Sequence, residues 1–171
     1  MTKVLVISDS HSLTERIDSI ANRHDVQKKI HCGDSELAHD AQQLDDFVVV
    51  RGNCDWDSSF PEDEIIDIAG LRIFVTHGHL YGVKSSLLQL QYRALEEGAD
   101  IVLFGHSHVA YCEKFDNVMY INPGSIRLPR KWPTPSYCII SWENREEINV
   151  VFYDIEGNEL MIFPFERTFK L

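Results

Sequence analysis

The sequence predicts an α/β protein in which two mixed β-sheets form a sandwich flanked by helices. In the first third of the chain, apolar β-branched runs alternate with helical patterns, and this alternation favours a parallel sheet with right-handed crossovers. Most of the later sequence has the pattern of short strands joined by hairpin turns. No linker, repeat or low-complexity tract interrupts the chain. We therefore expect residues 1–171 to form one domain.

The first elements follow a β-α-β-α-β order. Residues 3–8 are apolar almost throughout, as expected of a parallel strand that is covered on both faces. A helix is predicted next, because one helical face carries Leu13, Ile17, Ile20, Ala21 and His24. A second strand, a short second helix and a third strand are predicted at residues 27–31, 35–43 and 47–51.

The pattern then changes to hairpins and one further helix. Strands at residues 64–68 and 71–76 flank Ala69 and Gly70, which have the composition of a hairpin turn. A helix that ends at Gly98 is predicted by the apolar stripe of Leu88, Tyr92, Leu95 and Ala99. More strands are predicted at residues 101–104, 110–115, 118–122, 136–143 and 148–154. The apolar residues 160–169 suit either an edge strand or a contact surface.

Charge and composition exclude several classes of function. The net charge of −11 argues against a general affinity for the nucleic-acid backbone. The N-terminal apolar run is too short for a signal peptide, and no run is long enough to cross a membrane, so we expect a cytoplasmic protein. No zinc-ribbon spacing links the four cysteines, which are Cys32, Cys54, Cys112 and Cys138.

Short polar clusters follow nearly every predicted strand. They are SDSH at residues 8–11, GD at 33–34, GNCD at 52–55, THGH at 76–79, GHSH at 105–108 and NPGS at 122–125. Buried strands that end in Asp, Asn or His deliver these side chains to a sheet edge, where open α/β folds place their chemistry. The clusters therefore predict a functional site assembled from several strand ends.

The residue types in these clusters suit a pair of divalent metal ions. Two such ions can activate water and clamp a phosphate when they lie about 3.5–4 Å apart, and a carboxylate can touch both. Imidazoles and an amide add donors without adding charge, so the site stays positive and attracts a phosphate oxyanion. The candidate ligands are Asp9, His11, Asp34, Asn53, His77, His106 and His108. This mixture favours transition metals, with Mn²⁺ the first choice and Ni²⁺, Fe, Co²⁺ or Zn²⁺ as alternatives.

The motifs closely resemble those of the calcineurin-like metallophosphoesterase superfamily. Its pattern D-x-H, G-D, G-N-x-[D/E], H and G-H-x-H is present in full and in order between Asp9 and His108. The NPGS cluster extends the similarity to the small single-domain bacterial and archaeal phosphodiesterases. The resemblance implies the calcineurin-like fold and a dinuclear metal site.

The resemblance also implies a role for each motif residue. One metal would be held by Asp9, His11, Asp34 and His108. The other would be held by Asp34, Asn53, His77 and His106, with Asp34 bridging the two ions. A hydroxide that bridges both metals would attack phosphorus, while Asn53 and the metals stabilise the developing charge.

One position departs from the family pattern. Many members have His directly after the Asn, where it is thought to protonate the leaving group, but this chain has Cys54. A thiol is a poor substitute for an imidazolium. Asp55 and His79 are nearby in sequence as substitutes. We therefore predict efficient cleavage of aryl phosphodiesters and weak cleavage of alkyl ones, with Asp34, Asn53, Cys54 and His79 as the catalytic residues.

Three functions are compatible with these motifs. The first is a phosphodiesterase acting on a small substrate, because 171 residues leave no room for the extra domains with which large nucleases hold long nucleic acid. The alternatives are a metal-dependent phosphomonoesterase and a non-catalytic scaffold, as in a retromer-type trafficking subunit with the same fold. A homo-oligomer, a dimer or larger, is expected from the small relatives. The basic residues Arg127, Arg130 and Lys131 either bind a substrate phosphate or form a solvated loop.

Overall fold

The computed structural model describes residues 1–161 and 167–171. Its strands are β1 (Thr2–Ile7), β2 (Lys28–His31), β3 (Phe47–Val49), β4 (Asp63–Ile68), β5 (Leu71–Thr76), β6 (Ile101–Leu103), β7 (Tyr111–Phe115), β8 (Val118–Asn122), β9 (Ser136–Trp142), β10 (Ile148–Asp154) and β11 (Thr168–Phe169). Its α-helices are α1 (Thr14–Ala21) and α2 (Leu88–Glu97). Within the described ranges, neither helix is long and apolar enough to cross a bilayer.

The strands form two mixed sheets. The six-stranded sheet has the order β11-β10-β9-β1-β2-β3, in which β1, β2 and β3 are parallel and β9 to β11 are antiparallel. Ile7 pairs with His31 and His31 with Val49, so the three parallel strands end at the same level. The loops that follow them therefore meet at one edge of this sheet.

The five-stranded sheet has the order β4-β5-β6-β8-β7, with β5, β6 and β8 parallel. The β4–β5 and β7–β8 hairpins close its two sides. Both hairpin turns have positive φ at their two central residues, Ala69 with Gly70 and Asp116 with Asn117. Such turns match the right-handed twist of the strands that they join.

Apolar side chains fill the space between the sheets and beneath both helices. Val4 and Val6 of β1 share a core with Ile73 and Val75 of β5. On the outer face of the six-stranded sheet, Ile17 and Ile20 of α1 pack with Leu5 and Ile7. On the outer face of the five-stranded sheet, Leu90 and Ala94 of α2 pack with Phe74 and Val102. The predicted two-sheet α/β sandwich is confirmed.

The predicted helix over residues 35–43 is wrong. This segment forms bends and turns, followed by a single 3₁₀ turn at Gln42–Leu44. The backbone N–H groups of Glu36 and His39 donate to the carboxylates of Asp55 and Asp57, at 2.7 and 2.8 Å, rather than to helical carbonyls. Glu36 also has a φ of 55°, which no right-handed helix allows.

The helix that was predicted to end at Gly98 is present, but its apolar stripe does not face the core. Leu88, Tyr92 and Leu95 are 52%, 62% and 56% exposed, and Leu90 and Ala94 form the buried face. Periodicity could not distinguish the two faces, because both carry apolar residues. The prediction for residues 160–169 falls partly outside the described residues, since 162–166 are not described. Thr168 and Phe169 form the edge strand β11.

Candidate metal centre

The candidate ligands lie where the carboxyl ends of parallel strands from both sheets meet. Asp9 and His11 follow β1, Asp34 follows β2 and Asn53 follows β3, so these four come from the six-stranded sheet. The five-stranded sheet contributes His77 after β5 and both His106 and His108 after β6. The site therefore lies on the seam between the two sheets.

Backbone hydrogen bonds join these loops to one another. The N–H groups of Asp9 and His11 donate to the carbonyls of Gly33 and Asp34, each at 3.0 Å. The N–H of Gly105 donates to the carbonyl of His77 at 3.0 Å. These backbone hydrogen bonds set the relative positions of the loops that carry the candidate ligands.

Asp9 belongs to two groups of ligand atoms, each of which fits within 4.8 Å. The first group contains His11 and His108, with His108 Nε2 at 3.1 Å and His11 Nε2 at 3.9 Å from Asp9 Oδ1. The second group contains Asp34 and His77, with His77 Nε2 at 3.2 Å from Asp34 Oδ2 and 3.9 Å from Asp9 Oδ1. Asp9 Oδ1 therefore lies between the two groups, and the bridging role of Asp34 stays a prediction.

Three histidines are held so that Nε2 faces the site. Nδ1 of His77 lies 2.7 Å from the carbonyl of Cys32, and Nδ1 of His108 lies 2.7 Å from the carbonyl of Leu128. Nδ1 of His11 lies 2.7 Å from Oε1 of Glu36. Carbonyl and carboxylate oxygens only accept, so each Nδ1 must donate, and the lone pair is left on Nε2.

Two buried atoms in this centre match the needs of a cation. Asp9 Oδ1 and His77 Nε2 are fully buried and have no hydrogen-bond partner among the described residues. An unpaired buried polar atom is costly unless a ligand or ion satisfies it. A divalent cation accepts lone pairs from both a carboxylate and an imidazole, so the donor set fits the metals predicted from the sequence.

The pKa values of Asp9 and His77 are both shifted so as to favour the charged form of the side chain. Burial raises the pKa of Asp9, but contacts with His108 and His77 outweigh burial and hold it below the ordinary value. Burial lowers the pKa of His77, but Asp34 and Asp9 outweigh it and raise that pKa. The two carboxylates therefore create a negative potential that favours positive charge at this position.

His106 lies beside the two ligand groups, and Asn53 precedes Cys54, which contacts Asp34. The backbone N–H of His106 donates to Asp9 Oδ2 at 3.2 Å, and its ring centroid is 5.1 Å from that of His77. Burial, together with His77 and Lys84, lowers the pKa of His106 to about 4, so its ring is neutral. Asn53 is exposed, and its side-chain amide donates to Cys54 Sγ at 3.3 Å.

Of the predicted catalytic residues, Cys54 lies beside Asp34, and His79 lies beside His77 and His106. The N–H of Cys54 donates to Asp34 Oδ1 at 2.8 Å, and burial with the neighbouring Asp34 and Glu36 carboxylates raises the pKa of its thiol to about 11. The ring of His79 lies 5.4 Å from that of His77 and 6.1 Å from that of His106. Neither side chain belongs to the two ligand groups that share Asp9.

Several ligands have a strained backbone. The left-handed φ values of 53°, 44°, 55°, 64° and 58° belong to Asp9, His11, Asp34, His106 and His108. A left-handed conformation is unfavourable for residues other than glycine, and such strain is concentrated at functional sites. Glycine is also required beside two of the ligands. A Cβ on Gly52 would lie 2.0 Å from Asp34 Oδ1, and one on Gly105 would lie 2.7 Å from Asp9 Oδ2.

The sequence reasoning missed the structural role of Asp55, which organises the loop after β2. Its buried carboxylate accepts backbone N–H groups from Asp34, Gly52 and Glu36 at 2.7–2.8 Å, and the Ser35 hydroxyl at 3.2 Å. Both oxygens are occupied as acceptors, so the suggested role as a substitute acid is wrong. The acid of the G-N-x-[D/E] motif was the available signal, since a carboxylate three residues after a loop glycine can accept from the loop backbone.

His31 supports the same loops. It is fully buried, its Nδ1 accepts the N–H of Gly33 at 3.1 Å, and its Nε2 lies 2.8 Å from the hydroxyl of Ser10. Because Nδ1 accepts, Nε2 must carry the proton and donate to Ser10. His24 and His39, which contact Tyr137 and Asp57, also lie outside the ligand groups.

The NPGS segment supports the site from the other sheet. The Asn122 amide donates to the Gly105 carbonyl at 2.9 Å and to the Ser107 hydroxyl at 3.1 Å. The Ser125 hydroxyl donates to the Asp9 carbonyl at 2.8 Å. These contacts hold the loops after β1 and β6 together, so this cluster shapes the site without supplying a ligand.

Comparisons with known proteins identify the family of this chain. A family model described as the calcineurin-like phosphoesterase superfamily domain matches residues 2–145. The probable metallophosphoesterase YsnB of Bacillus subtilis is 49% identical over 159 residues, which cover 92% of this chain and 94% of that protein. Phosphodiesterase MJ0936 of Methanocaldococcus jannaschii is 31% identical over 144 residues, which cover 71% and 82%. The crystal structure of a predicted phosphoesterase from Streptococcus pneumoniae has a TM-score of 0.92 at 29% identity and covers 98% and 97%.

Proposed function

The chain belongs to the calcineurin-like phosphoesterase superfamily, and we propose that it is a phosphodiesterase that hydrolyses a small diester with two divalent cations. The observation that carries this proposal is the pair of ligand groups that share the buried Asp9 carboxylate. A single structural metal would need only one such group. A relative that is named a phosphodiesterase, MJ0936, supports the choice of a diester substrate.

We assign the ligands by combining the geometry with the family pattern. By the family pattern, one cation would be held by Asp9, His11, Asp34 and His108, and the other by Asp34, Asn53, His77 and His106. The geometry supports Asp9 with His11 and His108 for the first, and Asp34 with His77 for the second, with Asp9 also near the second group. Nitrogen and oxygen donors without a thiolate favour Mn²⁺, Fe, Co²⁺, Ni²⁺ or Zn²⁺ over Mg²⁺. When bound, two such cations supply the Lewis acidity that activates a water molecule and neutralises charge on the phosphate.

The remaining residues of the site position the substrate and limit its leaving group. The exposed Asn53 amide can donate a hydrogen bond to a phosphate oxygen. Cys54 occupies the place where many relatives have a proton-donating His, and a thiol supplies a proton less readily than an imidazolium. Diesters whose leaving group is already stable as an anion, such as aryl esters, therefore react best.

The direct test is hydrolysis of bis-p-nitrophenyl phosphate by metal-stripped protein to which Mn²⁺, Ni²⁺, Zn²⁺ or Mg²⁺ is added singly. We expect metal-dependent cleavage that falls at least ~100-fold in Asp34→Ala and His77→Ala. The matched controls, Asp18→Ala and His39→Ala, remove the same side chains at exposed positions and should keep full activity. Calorimetric titration of the same samples should give two bound metal ions per chain.

Parallel measurements separate the alternatives. Faster hydrolysis of p-nitrophenyl phosphate than of the diester would replace our proposal with a phosphomonoesterase. Absence of turnover on both substrates with every metal would favour the non-catalytic scaffold. We expect activity because all seven candidate ligand positions have residues that can bind a metal. A scaffold would not need the buried Asp9 Oδ1 and His77 Nε2 atoms, which lack a hydrogen-bond partner among the described residues.

A further inference from the structure

A cleft of about 470 Å³ opens beside the metal centre on the side of the five-stranded sheet. Ser107, one of its lining residues, lies between the two β6 histidines His106 and His108. Another, Arg130, donates its backbone N–H to the carbonyl of His108 at 2.9 Å. The cleft therefore adjoins the loop that carries the candidate ligands His106 and His108, and its volume is within the ~300–1,000 Å³ of small-molecule sites.

The walls of the cleft are mostly apolar. The apolar lining residues are Val83, Leu87, Phe104 and Val109, and Tyr111 adds an aromatic ring. The ring centroids of Phe104 and Tyr111 are 6.2 Å apart at an angle of 61°, so the two rings form an edge-to-face corner. Such a surface suits a flat ring, which gains both apolar burial and contact with aromatic edges.

The rim of the cleft carries two basic side chains, Lys84 and Arg130. Both are exposed, and neither forms an ion pair with any carboxylate in the described part of the chain. The described residues that line the cleft include no Asp or Glu, although the protein has a net charge of −11. Glu113 lies next to the cleft, where its carboxylate accepts the Tyr111 hydroxyl at 2.8 Å. Two uncompensated cations beside an apolar wall favour a ligand that has both a ring and an anionic group.

We propose that this cleft binds one ester arm of the substrate, and that this arm is a nucleoside that carries a second phosphate. The ring of the arm packs against Val109, Phe104 and Tyr111, and its phosphate lies between Lys84 and Arg130. This inference rests on the proposed phosphodiesterase function and narrows its substrate class to short nucleotide diesters with a terminal phosphate. Nucleoside leaving groups are alkyl oxides, which leave less readily than aryl oxides, so cleavage of such a diester would depend on binding energy from this cleft to offset the weak acid at Cys54.

The three basic residues after NPGS have different surroundings in the structure, and this supports the assignment. Arg130 lines the cleft, whereas Arg127 donates a hydrogen bond to the His11 carbonyl and Lys131 lies 5.4 Å from the ring centroid of Trp132. Of the three basic residues that the sequence suggested for phosphate binding, only Arg130 lines this cleft. Lys131 therefore provides a matched control with the same charge in the same loop.

Binding to the Mn²⁺-loaded protein tests the cleft without requiring turnover. Thymidine 3′,5′-bisphosphate and thymidine 5′-phosphate are titrated by calorimetry, and the ratio of their affinities isolates the effect of the second phosphate. We expect the bisphosphate to bind about tenfold more tightly, with each of Lys84→Ala and Arg130→Ala reducing the ratio about threefold. Lys131→Ala should leave the ratio unchanged. Equal affinities in the unsubstituted protein, or an equal effect of all three substitutions, would overturn the proposal.

The contribution of the ring is tested with pyrophosphate, which has two phosphate groups and no ring. Pyrophosphate should bind more weakly to the same protein than the thymidine bisphosphate, and equal or tighter binding would refute the ring site. Turnover of dithymidine phosphate with and without a 5′-phosphate then gives the kinetic counterpart, with a higher kcat/KM for the phosphorylated form. If bis-p-nitrophenyl phosphate is not cleaved, the proposed function fails, and the calorimetry still decides whether the cleft binds a phosphorylated nucleoside.

Discussion

Replacement of the Asp55 carboxylate by an amide, Asp55→Asn, tests whether this side chain fixes the loop that carries Asp34. The carboxylate is 4% exposed and accepts four hydrogen bonds, two on each oxygen. An amide keeps one acceptor oxygen for the Asp34 and Gly52 N–H groups, and its NH₂ group can donate to the Ser35 hydroxyl but leaves the Glu36 N–H without an acceptor. The substitution therefore removes one hydrogen bond and the charge that strengthens the others, while changing the volume of the side chain very little.

The expected loss follows from these contacts. A hydrogen bond to a buried charged group contributes about 1.5–3 kcal/mol, so the loss of the Glu36 bond predicts a decrease of about 1.5–3 kcal/mol in the free energy of unfolding. That is a substantial part of the ~5–15 kcal/mol typical of a domain. Because the N–H of Asp34 then donates to a neutral amide oxygen instead of a carboxylate, metal affinity should also fall about 10- to 100-fold.

Urea unfolding of the metal-free protein gives the first quantity, and calorimetric titration with Mn²⁺ gives the second. Asp18→Asn makes the same chemical change at an exposed position of α1 and should alter both by little. A stability loss below ~1 kcal/mol would refute the proposed hydrogen-bond role of Asp55. A large stability loss with unchanged metal affinity would show that Asp55 stabilises the fold without positioning Asp34.

Three further substitutions test other parts of the site. Cys54→His should raise the ratio of alkyl to aryl diester hydrolysis at least about tenfold by supplying a stronger proton donor, and an unchanged ratio would contradict the acid-deficiency idea. His31→Phe leaves the Gly33 N–H and the Ser10 hydroxyl unpaired and should cost about 1–3 kcal/mol in urea unfolding at pH 7. Burial lowers the pKa of His31 in the folded protein to about 4, against 6.5 for the free group. Between these two pH values the unfolded chain binds a proton that the folded chain does not, so stability falls as the pH falls. The unfolding free energy of His31→Phe should therefore depend less on pH in this range, and an equal slope would refute this. Gly52→Ala places a Cβ 2.0 Å from Asp34 Oδ1 and 2.4 Å from its backbone nitrogen, so Mn²⁺ affinity should fall at least about tenfold by calorimetry, and normal affinity would show that the loop can shift.

The strands and the proximity of the candidate ligands could be predicted from the sequence because both depend on local signals. β5, β8 and β10 have the predicted bounds, since their apolar runs end at polar or glycine-containing turns. Asp9, Asp34 and the histidines could be proposed as neighbours because each follows a predicted strand, and the register brings those strand ends to a common edge.

The errors come from interactions between residues far apart in the chain. Residues 35–43 have the composition of a helix, but Asp55 and Asp57 bind the backbone N–H groups that a helix would use. The apolar stripe of α2 was expected to face the core but faces solvent, because only the tertiary packing decides which face of this helix meets the sheet. The central position of Asp9 likewise requires the two sheets to be brought together, because its ligand groups include His77 and His108 from the other sheet. The cleft joins segments as far apart in the chain as Val83 and Arg130.

The origin of the ligands in two different sheets has a thermodynamic consequence. A cation that binds Asp34 and His77 together crosslinks the two layers of the sandwich, which otherwise hold together by apolar packing and loop hydrogen bonds. Because the unfolded chain has no preformed site, binding shifts the folding equilibrium by mass action, by about 2.7 kcal/mol when the free cation is at 100 times its dissociation constant. We therefore expect the melting temperature of the protein to rise with the free metal concentration, with release of the ion and loosening of one sheet from the other as linked equilibria.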